Sequence, residues 1–486
     1  MSSPAPPRRS PLQRRRRTAH KPLTRSQRIG LLVGIVAFVV PFFIDIPNLA
    51  EPGERMLSIL LLAIVFWVTE AVPLTATAVL IILLEVLLIS TEAFGDPFGA
   101  NPELADQALT SADYFATLAN PVIILFLGGF IIADGAGKFG LDRNIASLML
   151  RPFAGSARGT VAGVMAITSL LSFFMSNTAT TATMFAIIIP VLGAIDNPKV
   201  RTGITLAIPV SANVGGVATP VSTPANAIAV AALAERGYHM TFIHWLAMAL
   251  PFIVVILFAA WILICVLFIP RGSELTLEME TRWNTNSHAV GYYIIAATTI
   301  ALWMTEPWHG IAASTVGFFP VVALYCLRII DGNDIKRLDW PIFWLVAGGI
   351  ALGSGVGATG LDQWILGSID WNALTATAVL ALLCLVTFLF SNIMSNSASA
   401  NLMVPIAITL AYSLPDSSIV TVGVAVALSA SMGMSLPIST PPNTIAYSTG
   451  EVSVKDMAKI CGTIGIVSTA LVIFVMPNVW SLFGLI

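Results

Sequence analysis

Ser172-Phe173-Phe174-Met175-Ser176-Asn177-Thr178-Ala179 is written again, with small changes, as Ser391-Asn392-Ile393-Met394-Ser395-Asn396-Ser397-Ala398. The offset is 219 residues, from Ser176 to Ser395. Each copy sets a hydroxyl–amide–hydroxyl triplet in the middle of an apolar stretch. At membrane depth, helices interrupted in this way are tolerated only where they line a cavity or are buried in protein. Two such breaks imply a duplicated architecture, whose other parts recur at a similar offset.

More of the duplication lies on either side. Upstream, Leu125-Phe126-Leu127-Gly128-Gly129 resembles Leu345-Val346-Ala347-Gly348-Gly349 at an offset of 220. The same offset carries Gly135, Gly137, Gly140, Leu141 and Asp142 onto Gly355, Gly357, Gly360, Leu361 and Asp362. Downstream, Pro220, Ser222, Thr223, Pro224 and Asn226 recur as Pro437, Ser439, Thr440, Pro441 and Asn443 at an offset of 217. Trp67, Thr69 and Glu70 are echoed by Trp303, Thr305 and Glu306. The Gly-x-Gly-x-x-Gly spacing at 135–140 and 355–360 matches a dinucleotide fingerprint, but that fingerprint needs a preceding strand. Here each copy ends an apolar span, so the glycines read as helix ends.

Composition says what solvent surrounds these elements. Of 486 residues, 56% are hydrophobic and 10% charged, whereas soluble domains carry about 25% charged residues. Lipid is the main solvent for this surface. Apolar runs of spanning length fall near 29–45, 56–71, 74–90, 118–136, 241–269, 288–304, 309–330, 340–358 and 458–482. The four cysteines, Cys265, Cys326, Cys384 and Cys461, sit apart in apolar runs without metal-ligand spacing and read as packing residues. The spacing of His239 and His244 does not suit a metal site.

Charge sets the orientation. Nine Lys and Arg lie within 8–28, which reads as a disordered tail held inside against anionic lipid rather than a nucleic-acid arm. The loop 91–117 carries only acidic charges and falls outside; Lys138, Arg143, Arg151 and Arg158 fall inside, as do Arg328, Lys336 and Arg337. Lys138 is therefore inside while its repeat partner Ala358 is outside, so the two repeats are inverted. The expected fold is an all-α integral membrane protein of about 11 spans plus two re-entrant helical hairpins. The tail is 1–28. The first repeat, 29–270, has scaffold spans 29–136, an interfacial helix 139–153, a hairpin 159–193, a broken helix 203–234 and a span 241–269. The second, 286–486, has scaffold spans 288–330, a span 340–358, a hairpin 372–413, a broken helix 418–447 and a final span 458–482. Inverted repeats with paired broken helices mark a secondary transporter with its site at the repeat interface.

The chemistry of the paired motifs fits an anion accompanied by a cation. No Lys or Arg occurs within 159–193, 204–234, 372–413 or 418–450. Hydroxyls and amides can hydrogen-bond a carboxylate but cannot neutralise it. A helix restarting at each triplet offers free N–H groups and a positive dipole end to an anion. The end of the preceding arm offers carbonyls, and Ser and Asn oxygens complete a hard-oxygen cation site. Ser172 stands one turn before Ser176, and Ser391 one turn before Ser395, so each pair shares a helix face. Two cation sites flanking one anion site follow from the spacing. Glu70 and Glu306 read as helix-end contacts, with a proton site as the alternative. Trp67, Trp303 and Trp340 read as interfacial anchors.

These motifs resemble the divalent anion/sodium symporter family. The residues that carry the likeness are Ser176-Asn177-Thr178-Ala179-Thr180, Ser395-Asn396-Ser397-Ala398-Ser399, Thr440-Pro441-Pro442-Asn443 and Trp67-Val68-Thr69-Glu70-Ala71-Val72-Pro73, and it runs from about residue 30 to the end. The resemblance implies a homodimer in the inner membrane, an elevator-type transport domain, and sodium-coupled symport of C4-dicarboxylates such as succinate, malate or fumarate. It implies one sodium at Ser172, Ser176, Asn177 and the Ser222 carbonyl, and another at Ser391, Ser395, Asn396 and the Ser439 carbonyl. It implies substrate contacts from Asn177, Thr178, Thr223, Pro224, Asn396, Ser397, Thr440 and Pro441. Ser397 in place of the common Thr, and Ala225 in place of a second Pro, leave citrate or sulfate open as substrates. Sodium-independent exchange is the other alternative. No nucleophile–base pair points to an enzyme, and no organic cofactor or nucleic acid is expected. The C-terminus is expected outside.

Overall fold

Backbone polar groups in lipid have no partner but one another, so apolar runs of this length fold as helices. The computed structural model describes residues 24–44, 46–99, 101–153, 155–193, 195–273, 283–368, 375–413 and 418–486, and is all-helical over them. Most of the basic tail, 1–23, lies outside the described residues, as do 372–374 at the start of the second expected hairpin. Among the described residues, seven helical stretches are long and apolar enough to cross a membrane: Arg25–Phe43, Glu51–Thr69, Ser111–Phe139, Phe242–Phe268, Trp340–Ala358, Ala376–Ile393 and Val454–Phe474.

The helices that matter below are numbered in chain order. They are α1 (Arg25–Val39), α2 (Glu51–Thr69), α3 (Leu74–Leu88), α4 (Pro121–Phe139), α5 (Leu141–Leu150), α6 (Ala157–Ser172), α7 (Asn177–Leu192), α8 (Pro198–Gly215), α9 (Pro224–Glu235) and α10 (Phe242–Phe268). The second half gives α11 (Ser287–Met304), α12 (Ala313–Cys326), α13 (Trp340–Ala358), α14 (Leu361–Gly367), α15 (Ala376–Ile393), α16 (Asn396–Ser413), α17 (Ile419–Ser431), α18 (Pro441–Ser448), α19 (Val454–Phe474) and α20 (Met476–Leu482). The last apolar run is thus two helices. Pro477 sits in the first turn of α20, where a missing N–H costs nothing, whereas inside a continuous helix it would break a bond.

Helix ends repeat with the sequence. Gly140 and Gly360 adopt left-handed φ of 70° and 68° and turn α4 into α5 and α13 into α14. A side chain there would strain the backbone, which is why the glycine spacing recurs. Trp67 and Trp303 are fully buried, not interfacial anchors. Their indole N–H groups donate to the carbonyls of Leu74 (3.3 Å) and Ala313 (2.9 Å), fastening each helix to the start of the next. Trp340 is exposed. Glu306 accepts from the N–H groups of Phe242 and Ala313, a helix-start contact. Glu70 is an exposed, left-handed C-cap residue of α2.

Packing crosses between the two halves. A Cβ on Gly128 of α4 would lie 2.0 Å from the Gly317 carbonyl of α12, and one on Gly348 of α13 would lie 2.5 Å from the Ala78 Cβ of α3. These repeat-related glycines let each half's helix lie directly on the other's backbone. Near the triplets, α9 packs on α16 and α18 packs on α7 and α8. The Pro-Ser-Thr-Pro helix of each half therefore meets the triplet-bearing helix of the other.

Candidate functional site

Both triplets start helices. Ser176 Oγ accepts the Ala179 N–H at 3.3 Å and Ser395 Oγ accepts the Ala398 N–H at 3.2 Å, as N-caps do. The next residues, Asn177 and Asn396, open α7 and α16 with their amides beside the end of the preceding helix. Ser172 Oγ lies 2.8 Å from Asn177 Oδ1 and 2.9 Å from the Ala212 carbonyl. In the second half Ser391 Oγ lies 2.8 Å from Asn396 Oδ1 and in hydrogen-bond contact with the Ala430 carbonyl.

Each cluster holds more oxygen than proton. One serine hydroxyl carries one hydrogen, yet faces two acceptor oxygens. With the amide oxygen turned to the serine, as it is here, one oxygen–oxygen approach in each cluster is left without a proton between the atoms. Three neutral hard oxygens with a donor deficit suit sodium. Of the residues expected at the first cation site, Ser172 and Asn177 meet here, and the carbonyl beside them is that of Ala212 rather than Ser222; Ser391, Asn396 and Ala430 repeat the arrangement.

Close backbone approach makes the clusters possible. A Cβ on Gly216 would fall 2.1 Å from Asn177 Oδ1, and one on Gly433 would fall 2.4 Å from Ser391 Oγ. The loops that follow are tied down in parallel. Asn226 Nδ2 donates to the carbonyls of Gly216 (3.0 Å) and Thr219 (2.8 Å). Asn443 Nδ2 donates to those of Met434 (2.6 Å) and Leu436 (3.1 Å). Ser222 Oγ donates to the Gly216 and Thr219 carbonyls, and Ser439 Oγ donates to the Asn392 carbonyl and accepts the Leu436 N–H. The two serines thus fix the loop shape with their hydroxyls.

Hydroxyls for an anion stand nearby. Thr223 Oγ1 is buried and has no partner, whereas its repeat mate Thr440 caps the Asn443 N–H. Thr178 and Pro441 are exposed; Asn177, Asn396, Ser397 and Pro224 are half-buried. Asn213 was not visible as a repeat. Its amide Nδ2 donates to Thr440 Oγ1 (3.1 Å) and Asn443 Oδ1 (3.3 Å), tying α8 of the first half to α18 of the second. The pairing of Ala212 with Ala430 sets Asn213 against Ser431, whose hydroxyl donates to the Ala427 carbonyl, so this bond has no symmetric copy.

A cavity of about 370 Å³ reaches the first triplet at Met175, Ser176 and Ala179, and is lined farther out by Lys138, Arg337 and Asp339. Lys138 Nζ pairs with Asp334 at 2.6 Å and donates to the Ile329 carbonyl. Partial burial of the Asp334 carboxyl opposes its charge, but Lys138 and the Asp331 N–H outweigh it and hold the group below the usual carboxylate range. Among the described residues no cluster of three or more His, Cys, Asp or Glu is placed to hold a metal.

The chain is similar to known membrane transporters over most of its length. The sodium-dependent dicarboxylate transporter SdcS of Staphylococcus saprophyticus is 27% identical over 489 residues, covering 93% of this chain and 91% of the relative. SdcS of Staphylococcus aureus strain USA300 is 26% identical over 504 residues, covering 94% and 93%. Two solved structures share the fold at low identity. The YdaH transporter of Alcanivorax borkumensis aligns with a TM-score of 0.58 at 13% identity, over 89% of this chain and 99% of that one. The efflux pump MtrF of Neisseria gonorrhoeae aligns with 0.52 at 12%, over 93% and 97%. The sequence model of the sodium:sulfate symporter transmembrane region matches residues 25–486, nearly the whole chain, and the protein belongs to that family of membrane transporters, the divalent anion/sodium symporters.

Proposed function

We propose that the protein is a sodium-coupled symporter of C4-dicarboxylates. The observation that carries this reading is the paired, proton-poor oxygen clusters at Ser172/Asn177/Ala212 and Ser391/Asn396/Ala430. A dianion among neutral groups needs positive charge; two sodium ions supply it, and the N-terminal ends of α7 and α16 add their dipoles. Asn177, Thr178, Asn396 and Ser397 hold the carboxylates, with Thr223, Pro224, Thr440 and Pro441 beside them. The orphaned Thr223 hydroxyl is a donor ready for a carboxylate oxygen. Ser176 and Ser395 set the helix starts that the ions and substrate share, and Ser222 and Ser439 hold the adjoining loops.

In this reading α6–α7 and α15–α16 are re-entrant hairpins of a transport domain that slides against the remaining spans, in a homodimer of the inner membrane with its N-terminus cytoplasmic. The cavity at Ser176 opens toward Lys138 and Arg337, residues that the positive-inside rule puts in the cytoplasm. The conformation is then inward-facing, with the first ion site nearest the exit.

Sodium binding to the purified protein tests the ion sites without transport. Sodium should raise the melting temperature and potassium should not, by ligand linkage. Ser172→Ala and Ser391→Ala should each lose part of that rise, and a rise equal in both salts contradicts the reading. Asn213→Ala removes two hydrogen bonds that brace α18, worth about 1–2 kcal/mol together. It should raise the sodium concentration for half-maximal uptake by roughly 5- to 30-fold. An unchanged sodium dependence would leave Asn213 a packing residue.

A further inference from the structure

Glu85 stands in the last turn of the apolar helix α3 and serves no part of the site described above. Its side chain is 0% exposed, and neither carboxyl oxygen has a hydrogen-bond partner. One oxygen lies against Gly355 of α13, 2.7 Å from where a Cβ would sit, beside Met56 of α2. The hydroxyl of Tyr114, itself buried and unpartnered, is within electrostatic reach.

The charges on the surrounding elements are engaged elsewhere or carry the same sign. From α2, Arg55 donates to the carbonyls of Leu88 and Phe94 and pairs with Glu51, and Glu54 accepts the Ile46 N–H. Helix α13 carries no titratable residue. Beside Tyr114, Asp113 caps its own helix start at Thr110. At the end of α9, Glu235 accepts from Ser354 Oγ at 2.9 Å, one residue from Gly355, and Arg236 pairs with Asp362 at 3.3 Å. The second carboxyl near Glu85 is thus another acid, and no cation faces it.

A carboxylate in this place would be a buried, unpaired charge, which is far costlier than a neutral acid. A protonated carboxyl carries no charge, so the neutral acid is the compatible state here. Water is close on one side. Glu235 is solvent-exposed, and a cavity of about 1040 Å³ borders Thr359, whose hydroxyl donates to the Gly355 carbonyl. The charge pattern of the loop 91–117 puts this cavity on the external face.

We propose that Glu85 is a proton-binding site, loaded from the external face by way of Glu235. A proton from the external medium binds the Glu235 carboxylate and passes to the Glu85 carboxylate, which returns Glu235 to its ionised form and leaves Glu85 the neutral acid that its packing against Gly355 can hold. Loss of that proton leaves a carboxylate that the α3–α13 seam cannot hold as packed, so occupancy of the site governs how fast the transporter cycles.

Two readouts test this, and only the second rests on the proposed transport function. Infrared difference spectra of the purified protein at neutral pH, wild type minus Glu85→Gln, should contain a carboxylic-acid C=O band from a buried group. Its absence overturns the proposal. In proteoliposomes with external pH varied alone, wild-type sodium-driven succinate uptake should fall several-fold as the medium is made alkaline. Glu85→Gln, a neutral isostere, should keep uptake and lose that dependence, and Glu235→Gln should slow the response to a pH jump. Matching pH profiles in wild type and Glu85→Gln overturn the proposal. If neither protein moves succinate, the transport reading fails, and the infrared band alone decides the proton site.

Discussion

Asn177→Ala and Asn396→Ala are each expected to cut sodium-driven succinate uptake to below about 1% of wild type while the purified protein stays folded. Each amide does two things at once. Its Oδ1 belongs to a cation cluster with Ser172 or Ser391, and its Nδ2 is a donor beside a helix start. Interactions with a charged group are worth about 1.5–3 kcal/mol each. Losing two of them costs about 3–6 kcal/mol, and every 1.4 kcal/mol is a factor of ten. Folding should suffer far less, because both side chains are only half-buried. The check is uptake alongside gel filtration and thermal unfolding. Normal uptake in either variant removes that residue from the site, and loss of both uptake and folding makes it structural.

Gly216→Ala and Gly433→Ala should be nearly as damaging, for a steric reason. Neither glycine has a positive φ, so the backbone itself accepts alanine. The added methyl, however, would sit 2.1 Å from Asn177 Oδ1 or 2.4 Å from Ser391 Oγ. Overpacking of this kind costs about 1–3 kcal/mol, and here the atoms pushed aside are the proposed ion ligands. Uptake should fall by at least about tenfold, with a raised sodium requirement, while the melting temperature drops by a few degrees. Gly137→Ala is the control: a Cβ there meets nothing within 4 Å, and uptake should be unchanged. Equal effects from all three substitutions would point to general intolerance rather than to the ion sites.

The two triplets and the two Pro-Ser-Thr-Pro stretches were legible because duplication separates signal from accident. The all-helical fold followed from apolar runs and the shortage of charge. What the sequence hid has a common physical cause. The carbonyls of Ala212 and Ala430 belong to every residue type, and only geometry singles them out. Asn213 has no repeat partner, so duplication gives it no weight. Glu85 disappears in the run Leu83-Leu84-Glu85-Val86-Leu87, where hydropathy averages it away. Trp67 and Trp303 looked like interfacial residues because they lie near helix ends, but each turns inward to hold the carbonyl that begins the next helix. Ser222 and Ser439 were chosen for their carbonyls, and their hydroxyls proved to be what holds each loop in shape.

The central claim is that the two oxygen clusters bind sodium and that sodium drives the anion. The most direct measurement is succinate uptake into proteoliposomes under an inward sodium gradient, compared with potassium, with and without dicarboxylate inside. The expected result is uptake that requires sodium and proceeds into empty vesicles. Uptake that ignores sodium and requires internal dicarboxylate would contradict the claim and make the protein an exchanger whose paired clusters serve only to hold the fold.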